Sequence, residues 1–99
     1  MINEISVEEF KKTSEKFFII DVREAFELVQ DGKIPNSIHI PLGELTYEKV
    51  ISANPEKKPF LIYCRSGRRS MTACDMLDEE DENLELYNLK GGILAYKSA

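Results

Sequence analysis

Short apolar runs of strand length alternate along this chain with segments of helical periodicity, and that alternation restricts the fold more than any other feature. Phe17-Phe18-Ile19-Ile20 and Pro59-Phe60-Leu61-Ile62-Tyr63 are continuous runs without polar alternation. Each is therefore expected to be a strand covered on both faces. Ile5 is expected to begin a shorter strand. Ser6, with Glu9 three residues on, reads as the N-cap and capping box of a helix through about Ser14. Glu24–Gln30 reads as a helix burying Phe26 and either Val29 or Leu28, stopped by Asp31-Gly32. After the Pro35-Asn36 turn, Ser37–Ile40 reads as a third strand. Glu44–Ser52 reads as a helix ended by Asn54-Pro55. Arg68–Glu80 is the longest expected helix, with Ser70, Ala73, Cys74 and Leu77 on one face. Leu84–Asn88 reads as a last strand. Gly91-Gly92 then turns the chain into a short helix carrying Ile93, Leu94 and Tyr96. Strands separated by helices imply right-handed crossovers, an α/β class and a mostly parallel sheet. Ligands of such sheets bind beyond the carboxyl ends of the strands.

Ninety-nine residues suit one domain, 1–99, with a single core. No apolar run approaches the roughly 18–20 residues that span a bilayer. Glu4, Glu8, Glu9, Lys11 and Lys12 break any signal-peptide pattern. The expectation is a cytoplasmic monomer with no membrane partner. The net charge of −5 is local in origin. Asp78–Glu85 holds six acids and no base, and outside it thirteen bases face twelve acids. Three of the four arginines, Arg65, Arg68 and Arg69, fall within five residues. There is no extended basic stripe, so no nucleic-acid partner is expected. Cys64 and Cys74 are ten residues apart and His39 is the lone histidine. No metal-ligand spacing results, and no metal or cofactor is expected.

Cys64-Arg65-Ser66-Gly67-Arg68-Arg69-Ser70 follows a buried strand and leads directly into a helix. A helix N-terminus offers unpaired N–H groups and partial positive charge. A tight loop through Gly67 can turn further amides inward as an anion-binding nest. Three guanidinium groups add positive potential. Each effect favours thiolate over thiol, which makes Cys64 the expected nucleophile. The same loop, Arg65, Ser66, Gly67, Arg68, Arg69 and Ser70, is the expected cradle for an anionic substrate.

That loop resembles the active-site loop of the rhodanese-like sulfurtransferases, and three other segments resemble the family in the right order. Ile20-Asp21-Val22-Arg23-Glu24 is similar to its acidic turn after the second strand. Gly32–Leu42, containing Ile38-His39-Ile40-Pro41, is similar to its glycine–histidine–isoleucine–proline segment. Leu89–Tyr96 is similar to its C-terminal glycine pair. Lys33 stands where the family often has histidine, and Tyr96 where it often has tryptophan; neither lies in the cysteine loop. The resemblance implies a rhodanese-like three-layer fold, with a five-stranded, mostly parallel sheet flanked by helices. It also implies ping-pong transfer of sulfane sulfur through a Cys64 persulfide. The donor would be thiosulfate or another anionic sulfane compound. The acceptor would be cyanide, a thiol or a protein sulfur acceptor.

Two rival readings stay open at this point. A cysteine phosphatase or arsenate reductase needs Cys, five residues, then Arg to grip phosphate oxygens. Here that arginine position holds Ser70. A non-catalytic or partner-specific module is the other rival, and the intact Cys64 loop argues against the non-catalytic form. Cys74 reads as a core residue rather than a resolving thiol, and His39 as a hydrogen-bonded one. Asp21, Arg23 and Glu24 read either as a salt-bridged turn or as a device that positions Arg68 or Arg69.

Overall fold

The computed structural model describes residues 1–99. Strands β1 (Ile2–Ile5), β2 (Phe18–Asp21), β3 (Ile38–His39), β4 (Phe60–Tyr63) and β5 (Leu86–Leu89) form one sheet in the order β1-β5-β4-β2-β3. Every neighbouring pair is parallel, so the sheet is wholly rather than mostly parallel. The crossovers carry helices α1 (Val7–Thr13), α2 (Ala25–Asp31), α3 (Tyr47–Ala53) and α4 (Arg68–Glu80), and α5 (Gly92–Ser98) closes the chain.

The pleat of β4 sorts its side chains onto two cores. Phe60, Ile62 and Cys64 enter a cluster with Val50 of α3 and Ala73, Cys74 and Leu77 of α4. Leu61 and Tyr63 enter a second cluster with Val7 and Phe10 of α1 and Ile93 of α5. Both faces of the sheet are thus covered, as the unbroken apolar run requires, and the molecule has three layers. The layering also places the site. The chain leaving β4 enters α4 on one face, while the chain leaving β5 enters α5 on the other. A crevice opens at the carboxyl ends between two such divergent connections. Cys64 is the first residue past β4 at that point.

Several expected boundaries move. Ile5 ends β1 rather than beginning it, because Ile2–Ile5 pairs with Leu86–Leu89. The last strand accordingly runs over Leu86–Leu89, not Leu84–Asn88. The third strand is only Ile38–His39. The expected 44–52 helix splits into a tight turn at Leu42–Glu44 and α3, capped where the Lys49 amide donates to the Thr46 hydroxyl. Ser6 does cap α1, accepting from the Glu9 amide.

The larger correction concerns α2. Phe26 and Val29 are 63% and 88% exposed, Leu28 is half-buried, and the residue this helix buries is Glu27. An inward carboxylate requires a cation on the facing element, and that cation comes from the cysteine loop. Leu94 of α5 is also exposed, while Ile93 is core.

Candidate active site

Cys64 is 1% exposed and its sulfur is held by groups of its own loop. The Gly67 amide donates to Sγ at 3.1 Å, and the Ser70 hydroxyl lies 3.4 Å from it. Gly67 makes the turn possible. Its φ of +106° is left-handed, a conformation that costs a residue with a Cβ but not glycine. It is also the N-cap of α4, so the helix begins with no side-chain cap and its first amides are left to the loop's contents. Burial pushes the Cys64 thiol up. The Ser70 hydroxyl and the amides of Ser70, Gly67 and Ser66 outweigh that effect and bring it below its ordinary value. The lowering is thus carried by hydrogen bonds, among the causes the sequence suggested together with guanidinium charge.

The three arginines are not equivalent. Arg69 forms a fork-to-fork pair with Glu27 of α2, with both N···O distances at 2.8 Å. Glu27 also accepts from the Glu24 amide at 2.8 Å, so one carboxylate starts α2 and ties it to the start of α4. The guanidinium holds the Glu27 carboxyl down at about 2 even though burial opposes this. The local +3 of the loop is therefore +2 in effect, from the exposed, unpaired Arg65 and Arg68. Asp21 does not position Arg68 or Arg69. Its oxygens take the Arg23 guanidinium at 2.7–3.2 Å, with both side chains fully buried. The Tyr63 hydroxyl donates to Asp21 at 2.6 Å and accepts from the Ile34 amide at 3.1 Å. Arg23 also donates to the Gly32 carbonyl, and its remaining terminal nitrogen has no partner. Glu24 is the exposed N-cap of α2, whereas Asp21, the last residue of β2, and Arg23 form a buried brace across the ends of β2 and β4. His39 joins it through its Nε2 contact with the Arg23 carbonyl at 2.6 Å, a structural role.

Two residues of the site lie outside the loop. Asn88 of β5 is 1% exposed and donates from Nδ2 to the Gly67 carbonyl at 3.0 Å, while its Oδ1 accepts from the Ser70 hydroxyl. Gly92 lies beneath the loop. The Ile93 and Leu94 amides of α5 donate to the carbonyls of Cys64 and Arg65 at 2.9 and 3.2 Å. Gly92 is thus a backbone-to-backbone contact, and both Gly91 and Gly92 take positive φ. Cys74 is buried in the core with its thiol pushed up to about 12, chiefly by burial. Two surface clefts of about 410 and 590 Å³ are lined by other residues, among them Phe10 and Tyr96 in one and Tyr47 and Asp81 in the other. The cysteine site is a loop cradle apart from both. No helix is long and apolar enough to cross a membrane.

A wholly parallel sheet with a cysteine cradle at its carboxyl edge defines a class, and comparison with known proteins identifies it. The model of the rhodanese-like domain matches residues 6–99, and the chain belongs to that family. It is 34% identical over 99 residues to a sulfurtransferase of Allochromatium vinosum, covering 97% of this chain and 89% of that one. It is 37% identical over 99 residues to the Bacillus subtilis protein YtwF, covering 97% and 91%. Among solved structures, a rhodanese-related protein from Thermoplasma volcanium superposes with a TM-score of 0.82 at 28% identity, covering 97% and 91%. The chain is a sulfurtransferase-type protein.

Proposed function

We propose that this protein carries sulfane sulfur on Cys64, taking it from thiosulfate or an anionic persulfide donor and passing it to a thiol or cyanide. The observation that carries the reading is the pair of polar groups on the sulfur, the Gly67 amide that donates to it and the Ser70 hydroxyl beside it. The Cys64 thiolate attacks the outer sulfur of thiosulfate. The S–S bond of the donor breaks, sulfite leaves with the bonding pair, and a Cys64 persulfide anion remains. The loop amides of Ser66, Gly67 and Ser70 are placed to hold that charge. The thiolate or cyanide acceptor then attacks the terminal sulfur and restores the Cys64 thiolate. A thiolate already stabilised by its loop needs no separate general base. Arg65 and Arg68 supply attraction for the anionic donor.

Phosphate chemistry is disfavoured. The position that needs a bidentate arginine holds Ser70, which is buried and turned onto the cysteine sulfur. Delivery to a protein acceptor is a second reading, favoured by Phe26 and Val29. Both stand exposed on the helix that Glu27 ties to the cysteine loop. Incubation with thiosulfate is expected to add one sulfur atom to the intact mass and to release sulfite. Both signals should be lost in Cys64→Ala. An unmodified wild-type mass after incubation with thiosulfate, inorganic polysulfide or glutathione persulfide, with no sulfite released from thiosulfate, would sink the reading.

A further inference from the structure

Four polar groups form a closed ring around the Cys64 sulfur, and their hydrogen atoms can be assigned by elimination. Asn88 Nδ2 lies 3.0 Å from the Gly67 carbonyl oxygen, which only accepts, so the amide orientation is fixed. Asn88 Oδ1 is then the atom facing Ser70, and it too only accepts. The single hydroxyl hydrogen of Ser70 therefore points at Asn88. The Ser70 oxygen meets the Cys64 sulfur with a lone pair, and at 3.4 Å the S–H of Cys64 must be the donor. This arrangement suits the thiol and not the thiolate. When Cys64 loses its proton to solvent, Sγ becomes an acceptor, and the Ser70 hydroxyl satisfies it only by rotating its hydrogen away from Asn88.

We propose that Asn88 is a positioning residue that sets the direction of hydrogen bonding at Cys64. Its amide nitrogen holds the Gly67 amide on the sulfur, and its amide oxygen holds the Ser70 hydrogen until the sulfur ionises or carries a persulfide. No proton passes between Ser70 and Cys64; the hydroxyl turns about its Cβ–Oγ bond. Asn88 thus acts with opposite signs through two arms. Through Gly67 it favours the thiolate, and through Ser70 it competes with it.

The surroundings leave these arms as the main variables. The charged groups of the loop and the first turn of α4 are Arg65, Arg68 and Arg69, with the acids of α4 (Asp75, Asp78, Glu79 and Glu80) further along the helix, and α2 contributes Glu27, which pairs Arg69. β5 turns the neutral Asn88 to the site, and α5 presents backbone at Gly92, Ile93 and Leu94. The core beneath holds Cys74, whose thiol stays neutral.

The proposal rests on Cys64 being the sulfur-carrying residue, but its test is independent of sulfur transfer. The pH dependence of Cys64 alkylation by iodoacetamide is read by intact mass in wild type, Ser70→Ala, Asn88→Leu and the double variant. Asn88→Leu is expected to slow alkylation at neutral pH more in the Ser70→Ala background than in wild type. The gap should be about threefold or more, because the freed hydroxyl compensates only when Ser70 is present. Equal slowing in both backgrounds, or greater slowing in wild type, would overturn it. Where Asn88→Leu does not fold, Asn88→Ala, with room for a water, takes its place with the same criterion. A second measurement needs no Asn88 variant. The Cys64 S–H stretch, assigned by its loss in Cys64→Ala, should shift to higher frequency in Ser70→Ala, and an unmoved band would refute the S–H donor. A protein that passes these tests yet takes up no sulfur would overturn the sulfurtransferase reading alone.

Discussion

Gly92 lies against the backbone of Cys64 so closely that a Cβ placed on it would stand 2.5 Å from the Cys64 carbonyl oxygen and 2.6 Å from the Arg65 carbonyl carbon. Neither obstacle is the end of a flexible side chain. Both belong to the loop that carries the nucleophile, whose carbonyls accept from the Ile93 and Leu94 amides. The start of α5 and the cysteine loop are therefore a single backbone unit, and the φ of +59° at Gly92 adds a second reason for glycine.

Gly92→Ala is accordingly expected to separate α5 from the loop. The overlap should cost about 1–3 kcal/mol, and the left-handed residue about 1 more. Denaturant unfolding reads the loss, and slower Cys64 alkylation at neutral pH reads the displaced cradle. Gly43→Ala is the control, since a Cβ there meets nothing within 4 Å. It should leave both measurements unchanged.

The two cysteines should behave as different chemical groups. Cys64 is lowered by hydrogen bonds, whereas Cys74 is buried and pushed up to about 12. Native protein treated with iodoacetamide near pH 8 should gain one adduct, on Cys64, and a second only after denaturation. The linkage signs are opposite. Cys64 ionises more readily folded than unfolded, so its contribution to stability appears as pH rises through its folded value. Cys74 stays neutral when folded, so it lowers stability once pH exceeds the ordinary thiol value. Cys64→Ala should thus lose stability relative to wild type on raising pH from neutral, and Cys74→Ala should gain. Equal native reactivity of both thiols would refute the assignment.

Much of this site is legible in the sequence, and the rest is not, for a physical reason. Ser70, Ala73, Cys74 and Leu77 announce α4 and its buried face through spacing alone, and the helix runs over Arg68–Glu80 as expected. Spacing speaks only for residues on one element. Glu27 meets Arg69 across 42 residues, and Asn88 meets Ser70 across 18. No periodicity marks either. The misreading of α2 has the same origin. Phe26 and Val29 are apolar and three apart, which suggests an inward stripe, but the partner helix presents a guanidinium and the carboxylate turned in instead.

The Glu27–Arg69 pair should be visible in acid. Glu27 is held at about 2 against an ordinary 4.5, so the pair's contribution is complete above pH 4.5 and is lost as pH falls from there through about 2. The Arg69 side chain is 36% exposed, so screening limits the contribution to under about 1 kcal/mol. Glu27→Gln should therefore lose less stability than wild type over that interval. Parallel acid profiles would show that the pair contributes nothing.

Arg65 and Arg68 should act on donor binding and Arg69 on loop placement. With no carboxylate to hold, the first two remain available to an anion. Arg65→Ala and Arg68→Ala should each raise KM for thiosulfate a few-fold, roughly the worth of one exposed charge contact, with kcat nearly unchanged. High salt should shrink the difference, since the Debye length falls to about 3 Å at 1 M. Arg69→Ala should instead lower kcat, because it frees α2 from the start of α4. A kcat effect from Arg65 or Arg68 that salt does not alter would overturn this division.

Asp21 sits close to the active site in the fold, yet its loss should be felt as instability. Asp21 and Arg23 are both fully buried, and one terminal nitrogen of Arg23 is already without a partner. Asp21→Asn leaves the guanidinium charge buried and uncompensated, which typically costs about 3–5 kcal/mol. The Tyr63 hydroxyl also loses the carboxylate it donates to. Tyr63→Phe removes only the hydroxyl and should cost about 1–2 kcal/mol, the smaller effect of one buried polar contact. The gap between the two variants measures the charge. The Gly67 amide and Ser70 hydroxyl that hold the Cys64 sulfur belong to other segments. Each variant, assayed well below its melting temperature, should therefore alkylate Cys64 with the wild-type pH dependence. A shifted alkylation profile in folded Asp21→Asn would mean that this brace also tunes the nucleophile.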